Sequence, residues 1–161
     1  MCIRDRLYCR YDALCEAHGV YKVETIGDCY MACTGLLVDT PDHARDLVAF
    51  AHDMVAAAAS VDNPLGGAVQ IRVGVHSGRV MSGIVGSIRA RYCLFGDTVD
   101  AASLMESTGL PGRIQVSDAT FLALDAEARS SFQLHGSSSS VITGARALHC
   151  PPRHAGRRVA R

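Results

Sequence analysis

The segment YKVETIGDCYM, residues 21–31, constrains the fold more than any other part of the sequence. Apolar and polar residues alternate on either side of Gly27, which predicts two short antiparallel strands joined by a tight turn. Gly27 can take a backbone conformation that other residues resist, and Asp28 is then aimed outward at the mouth of the hairpin. A carboxylate in that place can bind a hard cation. The segment therefore predicts both a β-hairpin and a candidate metal ligand.

A second segment, RYCLFGDTVDAASLMES at residues 91–107, follows the same logic of a strand, a Gly-Asp turn and the start of a helix. Turns of this kind leave backbone N–H groups and a carboxylate at one point of the surface. Together the two segments predict a site for a phosphate group and a metal ion.

Helical and strand patterns alternate along the chain. Their order predicts the α/β class, as an α+β sandwich with ferredoxin-like connectivity, in which helices cover one face of an antiparallel-rich sheet. The predicted elements are a helix over 7–18, a hairpin over 20–35, a helix from Thr40 to about Asn63, two strands within 69–85, a strand over 91–95, a helix from Asp97 to Gly109, a strand over 114–116, a short helix capped by Ser117 with Phe121, Leu122 and Leu124 inside, and a strand over 132–134.

Composition narrows the class of protein. A chain of 161 residues that is 48% hydrophobic can bury a core as one domain, and its 16 basic and 16 acidic residues give no general attraction to nucleic acid or to anionic membranes. Seven cysteines form no CxxC pair and fall within apolar patterns, which predicts buried thiols in a reducing compartment and argues against a zinc site.

The two ends differ from the middle of the chain. The hexapeptide 1–6 reads as a non-native start, without the apolar core of a signal peptide, and residues 136–161 combine a GSSSS run with a basic tail that predicts poor order. No apolar run approaches the roughly 20 residues that a membrane-spanning helix requires. The predicted domain occupies residues 7–135.

Three blocks together carry a resemblance: YKVETIGDCYM, IRVGVHSGRVMSGIVG (71–86) and RYCLFGDTV (91–99). In this order they resemble the catalytic domain of class III nucleotidyl cyclases, of the guanylate cyclase type. The resemblance implies an intracellular enzyme of cyclic-nucleotide signalling that turns GTP into cyclic GMP, with any membrane attachment through other parts of its parent protein. It also implies that the family's first strand, which carries the first of two metal-binding aspartates, is missing from this chain.

The resemblance also implies roles for individual residues. Asp28 is the second metal-binding aspartate, for two Mg²⁺ or Mn²⁺ ions, and the active site forms between two catalytic domains. Glu24 and Cys93, with Val99, bind the nucleotide: a carboxylate accepts hydrogen bonds from guanine N1 and N2, and a thiol donates weakly to O6. Adenine presents the opposite pattern, so the pair favours GTP, with adenylate cyclase as the alternative.

Three positions depart from the family pattern. Asp100 and Leu104 stand where the family has an asparagine that orients the ribose and an arginine that stabilises transition-state charge. An ungapped extension places Val141 where the family has a phosphate-binding lysine. Leucine has no donor, an aspartate repels phosphate and the first metal-binding aspartate is missing, so we expect the isolated chain to be nearly inactive. In a heterodimer, a full-length version of this chain could be the metal-donating half, with an intact partner providing the asparagine and the arginine.

Two other hypotheses remain open at this stage. One is a pseudocyclase that serves as a dimerisation or regulatory module. The other is an RNA-binding ferredoxin-like domain, which ranks last because only 6% of the residues are aromatic and the strand motifs that stack on bases are absent. We therefore expect GTP and a second cyclase domain as partners, and no nucleic acid.

Overall fold

A computed structural model describes residues 3–64, 66–134 and 148–150. Five helices and eight strands lie in these ranges. The helices are α1 (Ile3–His18), α2 (His43–Ala59), α3 (Asp97–Ser107), α4 (Asp118–Ala123) and α5 (Ala126–Arg129). The strands are β1 (Tyr21–Ile26), β2 (Cys29–Cys33), β3 (Val73–Val75), β4 (Met81–Val85), β5 (Arg91–Phe95), β6 (Ile114–Val116), β7 (Gln133–Leu134) and β8 (Leu148–Cys150).

The strands form three hydrogen-bonded groups. β1 and β2 make one antiparallel hairpin, β4 and β5 make another, and a four-stranded sheet has the order β3-β6-β8-β7. Within that sheet only β3 and β6 run parallel, and every other pairing among the described strands is antiparallel. The predicted α+β class with an antiparallel-rich sheet is confirmed.

The core consists of two clusters that share α2. One face of this helix, including Ala44, Val48 and Val55, packs on Val75 and Ile114 of the four-stranded sheet. Its other face packs against α1 and the β1–β2 hairpin in a second cluster, whose buried members are Leu7, Tyr11, Cys15, Val20, Phe50, Met54, Ala58 and Val61. Each large apolar side chain buried in this way contributes roughly 1.5–3 kcal/mol of transfer free energy. Since α2 faces both clusters, it ties the hairpin to the sheet.

The helices do not all lie on one face of the sheet. Val75 of β3 packs toward α2, whereas a Cβ at its neighbour Gly74 would meet the backbone of Glu106 on α3. Successive residues of a strand point to opposite faces, so α3 lies on the face opposite α2. The predicted placement of the helices on a single face holds for α1 and α2 and is wrong for α3.

Several local expectations also change. The predicted start of the second helix at Thr40 is wrong: the helix begins at His43 after Asp42, and Thr40 instead donates its hydroxyl hydrogen to the carbonyl of Val38. Leu122, predicted to lie inside, is 68% exposed. Of the cysteines, Cys9 and Cys29 are exposed, so the expectation of buried thiols is wrong for these two.

The last strand lies where the sequence predicts a poorly ordered tail. β8 pairs antiparallel with both β6 and β7 and so occupies an interior position of the four-stranded sheet. A paired strand therefore lies within the segment 136–161, for which the sequence predicts no element. Val141 and the basic residues after 150 lie outside the described residues. Within the described part of the chain, none of the helices has the length and apolar character that crossing a membrane requires.

Candidate functional site

The β1–β2 turn presents Asp28 to solvent. Ile26 pairs with Cys29, so the connecting loop consists of Gly27 and Asp28 alone. Gly27 has φ 62°, in the left-handed region that favours glycine. A two-residue loop with glycine first is the arrangement of a type II′ hairpin turn. The predicted turn is confirmed, and Asp28 is exposed at its tip.

Asp28 offers one carboxylate to a cation. Among the residues that the structure describes, no group of three His, Cys, Asp or Glu side chains is placed to hold a metal ion. Mg²⁺ is commonly bound through one or two carboxylates together with substrate phosphates and water. Asp28 can therefore supply one protein ligand. The remaining ligands of such an ion would have to come from a nucleotide, from water or from residues beyond those described.

A β-bulge in β1 determines which way Glu24 faces. Lys22 pairs with Ala32 and Glu24 pairs with Met31, with Val23 as the extra residue between them. Because consecutive residues Met31 and Ala32 point to opposite faces, their partners Glu24 and Lys22 do so too. The sequence predicts that Lys22 and Glu24 share a face, and the bulge makes that wrong. Lys22 faces α1 and Glu24 faces away from it.

Glu24 lies next to β5. Its carboxylate is 3.9 Å from the Arg91 guanidinium, and the ring of Tyr21 meets that of Tyr92 edge to face at 6.3 Å between centroids. The Glu24 side chain is 21% exposed and that of Arg91 is 74% exposed. An ion pair this long and this exposed adds little stability. The contact shows that the strand of Glu24 lies next to the strand of Cys93.

Cys93 sits in the middle of β5, opposite Gly83 of β4. Its side chain is half-buried, and its sulfur lies 3.8 Å from the Arg91 carbonyl oxygen. The absence of a side chain at Gly83 leaves the space opposite the thiol open, because a Cβ there would meet nothing within 4 Å. Two predicted nucleotide-binding residues thus lie on neighbouring strands, one beside Arg91 and the other two residues beyond it.

The remaining predicted residues lie on α3. Gly96 precedes the helix with φ 116°, and the Val99 amide donates to its carbonyl. Val99 and Leu104 are half-buried, whereas Asp100 is exposed. Asp100 and Leu104 are four residues apart and share one face of the helix.

The charge on α3 does not favour an anion. Asp97 and Asp100 stand in its first turn, and no lysine or arginine occurs in the helix. The N–H groups and dipole at a helix start would ordinarily attract a phosphate, and two carboxylates in the same turn oppose that attraction. The α3 of this chain is therefore poorly suited to phosphate without an added cation.

A polar network behind the site ties the hairpin to α1. Lys22 Nζ donates to both oxygens of Asp12 at 2.7 and 2.9 Å, and the Tyr30 hydroxyl donates to the same carboxylate at 2.6 Å. Burial alone would raise the pKa of Asp12, but these two donors outweigh it and the pKa is lowered. The Cys15 thiol, whose pKa burial raises, lies 3.3 Å from the Tyr30 hydroxyl. This network fixes the strand that carries Glu24.

The β4–β5 hairpin exposes a set of large apolar side chains. We call this surface the apolar ribbon: Met81 (70% exposed), Ile84 (74%), Val85 (51%), Ile88 (97%) and Phe95 (44%). Met81 and Phe95 are cross-strand partners on the side of the hairpin that also carries Cys93. A concentration of exposed apolar residues on one element marks an interaction surface more often than scattered ones do.

Sequence reasoning missed two features of the site. Arg91 was read only as part of a motif, and nothing in the local pattern predicts its contact with Glu24 on a distant strand. The apolar ribbon was also missed, because the apolar residues of β4, which reads MSGIV, predict a strand without telling which face is covered. A run of apolar residues on both faces of a short hairpin was the available signal.

Comparison with known proteins places these residues in a family. The sequence model described as adenylate and guanylate cyclase catalytic domain matches residues 3–150, further at both ends than the predicted 7–135. Guanylate cyclase soluble subunit beta-2 of Rattus norvegicus is 49% identical over 119 residues, which cover 73% of this chain. That match spans 17% of the rat subunit, so the chain corresponds to a small part of its curated relatives.

Solved structures of cyclase domains have a similar fold. The guanylate cyclase domain of RhGC from Catenaria anguillulae in complex with GTP superposes with a TM-score of 0.80 at 37% identity, covering 90% of this chain and 79% of that one. The catalytic core of a rhodopsin-guanylyl cyclase with converted specificity, in complex with ATPαS, gives a TM-score of 0.81 at 35% identity, covering 92% and 80%.

Proposed function

The chain belongs to the adenylate and guanylate cyclase catalytic domain family, and from that premise we propose that it is a guanylate cyclase domain, one half of a two-domain enzyme that converts GTP to 3′,5′-cyclic GMP and pyrophosphate inside the cell. The chemistry is attack of the ribose 3′ oxygen on the α-phosphorus. One P–O bond forms to that oxygen while the bond to the departing pyrophosphate breaks, and the hydroxyl proton is released.

The observation that carries the guanine assignment is the approach of β1 to β5. Glu24, turned away from α1 by the bulge, lies 3.9 Å from Arg91 on the strand that bears Cys93. A carboxylate accepts the two N–H donors of guanine N1 and N2, and a thiol donates weakly to O6. Adenine in the same place would put its N1, an acceptor, against the Glu24 carboxylate, which also only accepts. In a partly buried site these unpaired groups would cost binding free energy. Val99 at the start of α3 would contact the same nucleotide.

Asp28 is the residue of this chain that would hold a divalent ion. Mg²⁺ or Mn²⁺ bound there would neutralise phosphate charge and stabilise the leaving pyrophosphate. The exposed position of Asp28 at a two-residue turn supports this role, because the carboxylate is held by a short, fixed loop and faces outward toward a partner. Asp28 and Glu24 would serve different nucleotides, one on each side of a dimer.

A second cyclase domain is the partner we propose, and a non-identical one. Asp100 and Leu104 cannot orient a ribose or stabilise phosphate charge, so a site that uses this α3 is impaired. The other site of the pair would join Asp28 of this chain to an intact asparagine and arginine of the partner. The apolar ribbon supports pairing with a second domain, because it lies on the hairpin of Cys93 and exposes apolar side chains that a partner would bury.

Mixing experiments test the proposal. A full-length version of this chain, which would include the first metal-binding aspartate that the resemblance places upstream, is combined with an intact guanylate cyclase domain whose own turn aspartate is replaced, and magnesium-dependent binding of a fluorescent GTP analogue and cyclic GMP formation are measured. We expect Asp28→Asn to abolish the magnesium-dependent part of both signals. The matched control is Asp39→Asn, an exposed carboxylate in the loop before α2. Equal signals from the two variants would refute the metal role.

One observation favours a second candidate function. The two substituted positions, Asp100 and Leu104, share a helix face, as expected when a whole subsite has lost its catalytic role. The chain would then be a pseudocyclase that regulates its partner by dimerisation. A stable complex in which the partner's cyclase activity changes, while Asp28→Asn has no effect, would support this candidate over the first.

A further inference from the structure

His76, directly after β3, makes a contact that the proposed function does not use. Its Nδ1 lies 2.7 Å from Ser117 Oγ. Ser117 is 1% exposed and caps α4, where its side-chain oxygen accepts from the Thr120 amide at 3.3 Å. Ser117 Oγ also lies 3.3 Å from Thr120 Oγ1. Assigning its single hydroxyl hydrogen to the shorter contact, with Nδ1, places the imidazole hydrogen on Nε2.

The other side of the His76 ring faces the start of α3. The point where a Cβ at Gly78 would stand is 3.2 Å from His76 Nε2 and 2.6 Å from Thr98 Oγ1. Both polar atoms therefore border the same small space, which a side chain at position 78 would fill. Thr98 in turn donates to the Arg79 carbonyl at 2.6 Å. The loop after β3 and the first turn of α3 meet at this point.

Two contacts thus hold α3 from different ends. Toward its C-terminus the helix lies against Gly74, and at its N-terminus Thr98 lies against Gly78 and donates to the Arg79 carbonyl. The C-terminal contact is backbone against backbone and cannot change without moving the strand. The N-terminal contact borders a titratable ring, that of His76, and it directly precedes position 99.

We propose that His76 is a positioning residue that sets the place of the α3 N-terminus, and with it positions 99 and 100, through its two ring nitrogens. The importance of those positions rests on the proposed function, but the positioning itself does not. In the neutral ring Nδ1 accepts from Ser117, and Nε2 borders the space beside Gly78 that Thr98 Oγ1 also borders. Protonation makes both nitrogens donors, so the Ser117 contact must reverse its direction and the arrangement around Gly78 changes with it.

The surroundings of His76 keep the ring neutral near pH 7. Burial lowers its pKa. The segments that adjoin it carry charged residues of both signs, among them Arg79 in the following loop, Asp97 at the start of α3 and Asp118 at the start of α4. We therefore expect protonation only below the ordinary histidine value of about 6.5.

Nuclear magnetic resonance on the ¹⁵N-labelled full chain tests the proposal without any need for cyclase activity. The backbone amide signals of Thr98 and Val99 are followed from pH 8 to pH 5, alongside the His76 ring signals. We expect the amides to titrate with the same midpoint as the ring. In H76N, which keeps an atom near Nδ1, and in H76Q, which keeps one near Nε2, the pH dependence should vanish.

The two variants separate the two contacts. H76Q should leave the Thr98 and Val99 signals near their wild-type positions at pH 8, and H76N should displace them. His18→Gln is the control, since His18 pairs with Asp53 between α1 and α2 and should leave both amides titrating. Amides that do not follow the ring in the wild-type chain would overturn the proposal, whether or not a variant folds. Loss of thermal stability without a change in titration would mean that His76 only supports the core.

Discussion

The backbone of Gly74 on β3 lies directly against that of Glu106 on α3. A Cβ at position 74 would stand 2.1 Å from the Glu106 nitrogen and 2.6 Å from the Ala102 carbonyl oxygen. Arg72, two residues before Gly74, donates to the carboxylate of the same Glu106 at 2.8 Å. The helix that carries positions 99, 100 and 104 therefore packs on the sheet by direct backbone contact. Such a contact holds the side chains of a site in fixed positions.

The variant Gly74→Ala tests this backbone contact between β3 and α3. The new methyl group would collide with backbone atoms that cannot move alone, so we expect a loss of about 3 kcal/mol in the free energy of unfolding, at the upper end of the usual cost of overpacking. Urea denaturation followed by circular dichroism measures it. The control is Gly83→Ala, where a Cβ meets nothing within 4 Å and φ is ordinary. A loss of similar size in both variants would contradict the role of the contact.

Asp12 gives a pH-dependent prediction. Its folded-state pKa is lowered by the Lys22 and Tyr30 donors despite burial. A carboxyl with a lowered folded pKa stabilises the fold above its unfolded pKa, near 4, and loses that contribution as pH falls through the lower folded value. We expect Asp12→Asn to cost about 1 kcal/mol at pH 7, a modest figure because the pair is half exposed. The difference from the wild type should shrink below about pH 4, which thermal melts across pH would show.

The apolar ribbon gives a prediction about association. Ile84 and Ile88 are 74% and 97% exposed, so replacing them should leave the stability of the single chain nearly unchanged. If a second cyclase domain covers them, the double variant I84T/I88S should weaken the complex at least tenfold, because a tenfold change needs only about 1.4 kcal/mol. Analytical ultracentrifugation or surface plasmon resonance measures the dissociation constant. Leu122→Ser, on exposed α4, is the control and should bind as the wild type does.

Local sequence rules predicted the elements well and their mutual placement poorly. The glycine turn at residue 27 and the helix starting at Asp97 follow from residue type and spacing within a few positions, and both are confirmed. The bulge at Val23 does not follow, because an extra residue leaves the apolar pattern almost unchanged while reversing the faces of its neighbours.

Pairing between distant segments was the other limit. β8 has three residues and no pattern of its own, and its place between β6 and β7 depends on partners far away in the sequence. The approach of Glu24 to Arg91 is of the same kind. Gly74 did carry a signal, since an isolated glycine inside a strand often marks a close approach of another backbone.

Restoring the two substituted positions on α3 should restore a catalytic subsite. The variant D100N/L104R is mixed with a guanylate cyclase domain that keeps its metal-binding aspartates but lacks its own asparagine and arginine. The only site that combines the metal-binding aspartates with an asparagine and an arginine then uses α3 of this chain. We expect cyclic GMP formation at least about 10³-fold above that of the unmodified chain, the scale on which a phosphate-facing arginine acts. Asp97→Asn, which changes a neighbouring carboxylate, should give no such gain. If the restored variant forms the complex but produces no cyclic GMP, that result would count against a nucleotide site at α3.

The base preference of the same restored site can then be changed. Glu24 and Cys93 would read guanine through an acceptor and a weak donor, so exchanging them for a donor and an acceptor, E24K/C93D, should reverse the complementarity toward adenine. The introduced ammonium group would also stand beside Arg91, and the repulsion between two cations should weaken the new site. We therefore expect the ratio of kcat/KM for ATP to that for GTP to rise by two or more orders of magnitude in the restored background, with a lower absolute rate, and the rate to recover on adding Arg91→Gln. The measurement is cyclic AMP and cyclic GMP formed in competition. The control is Thr25→Lys, which adds the same charge at an exposed position of β1 next to Glu24 and on the other face, and which should leave the ratio unchanged. A ratio that stays fixed in E24K/C93D while the restored site still turns over GTP would show that these two side chains do not read the base.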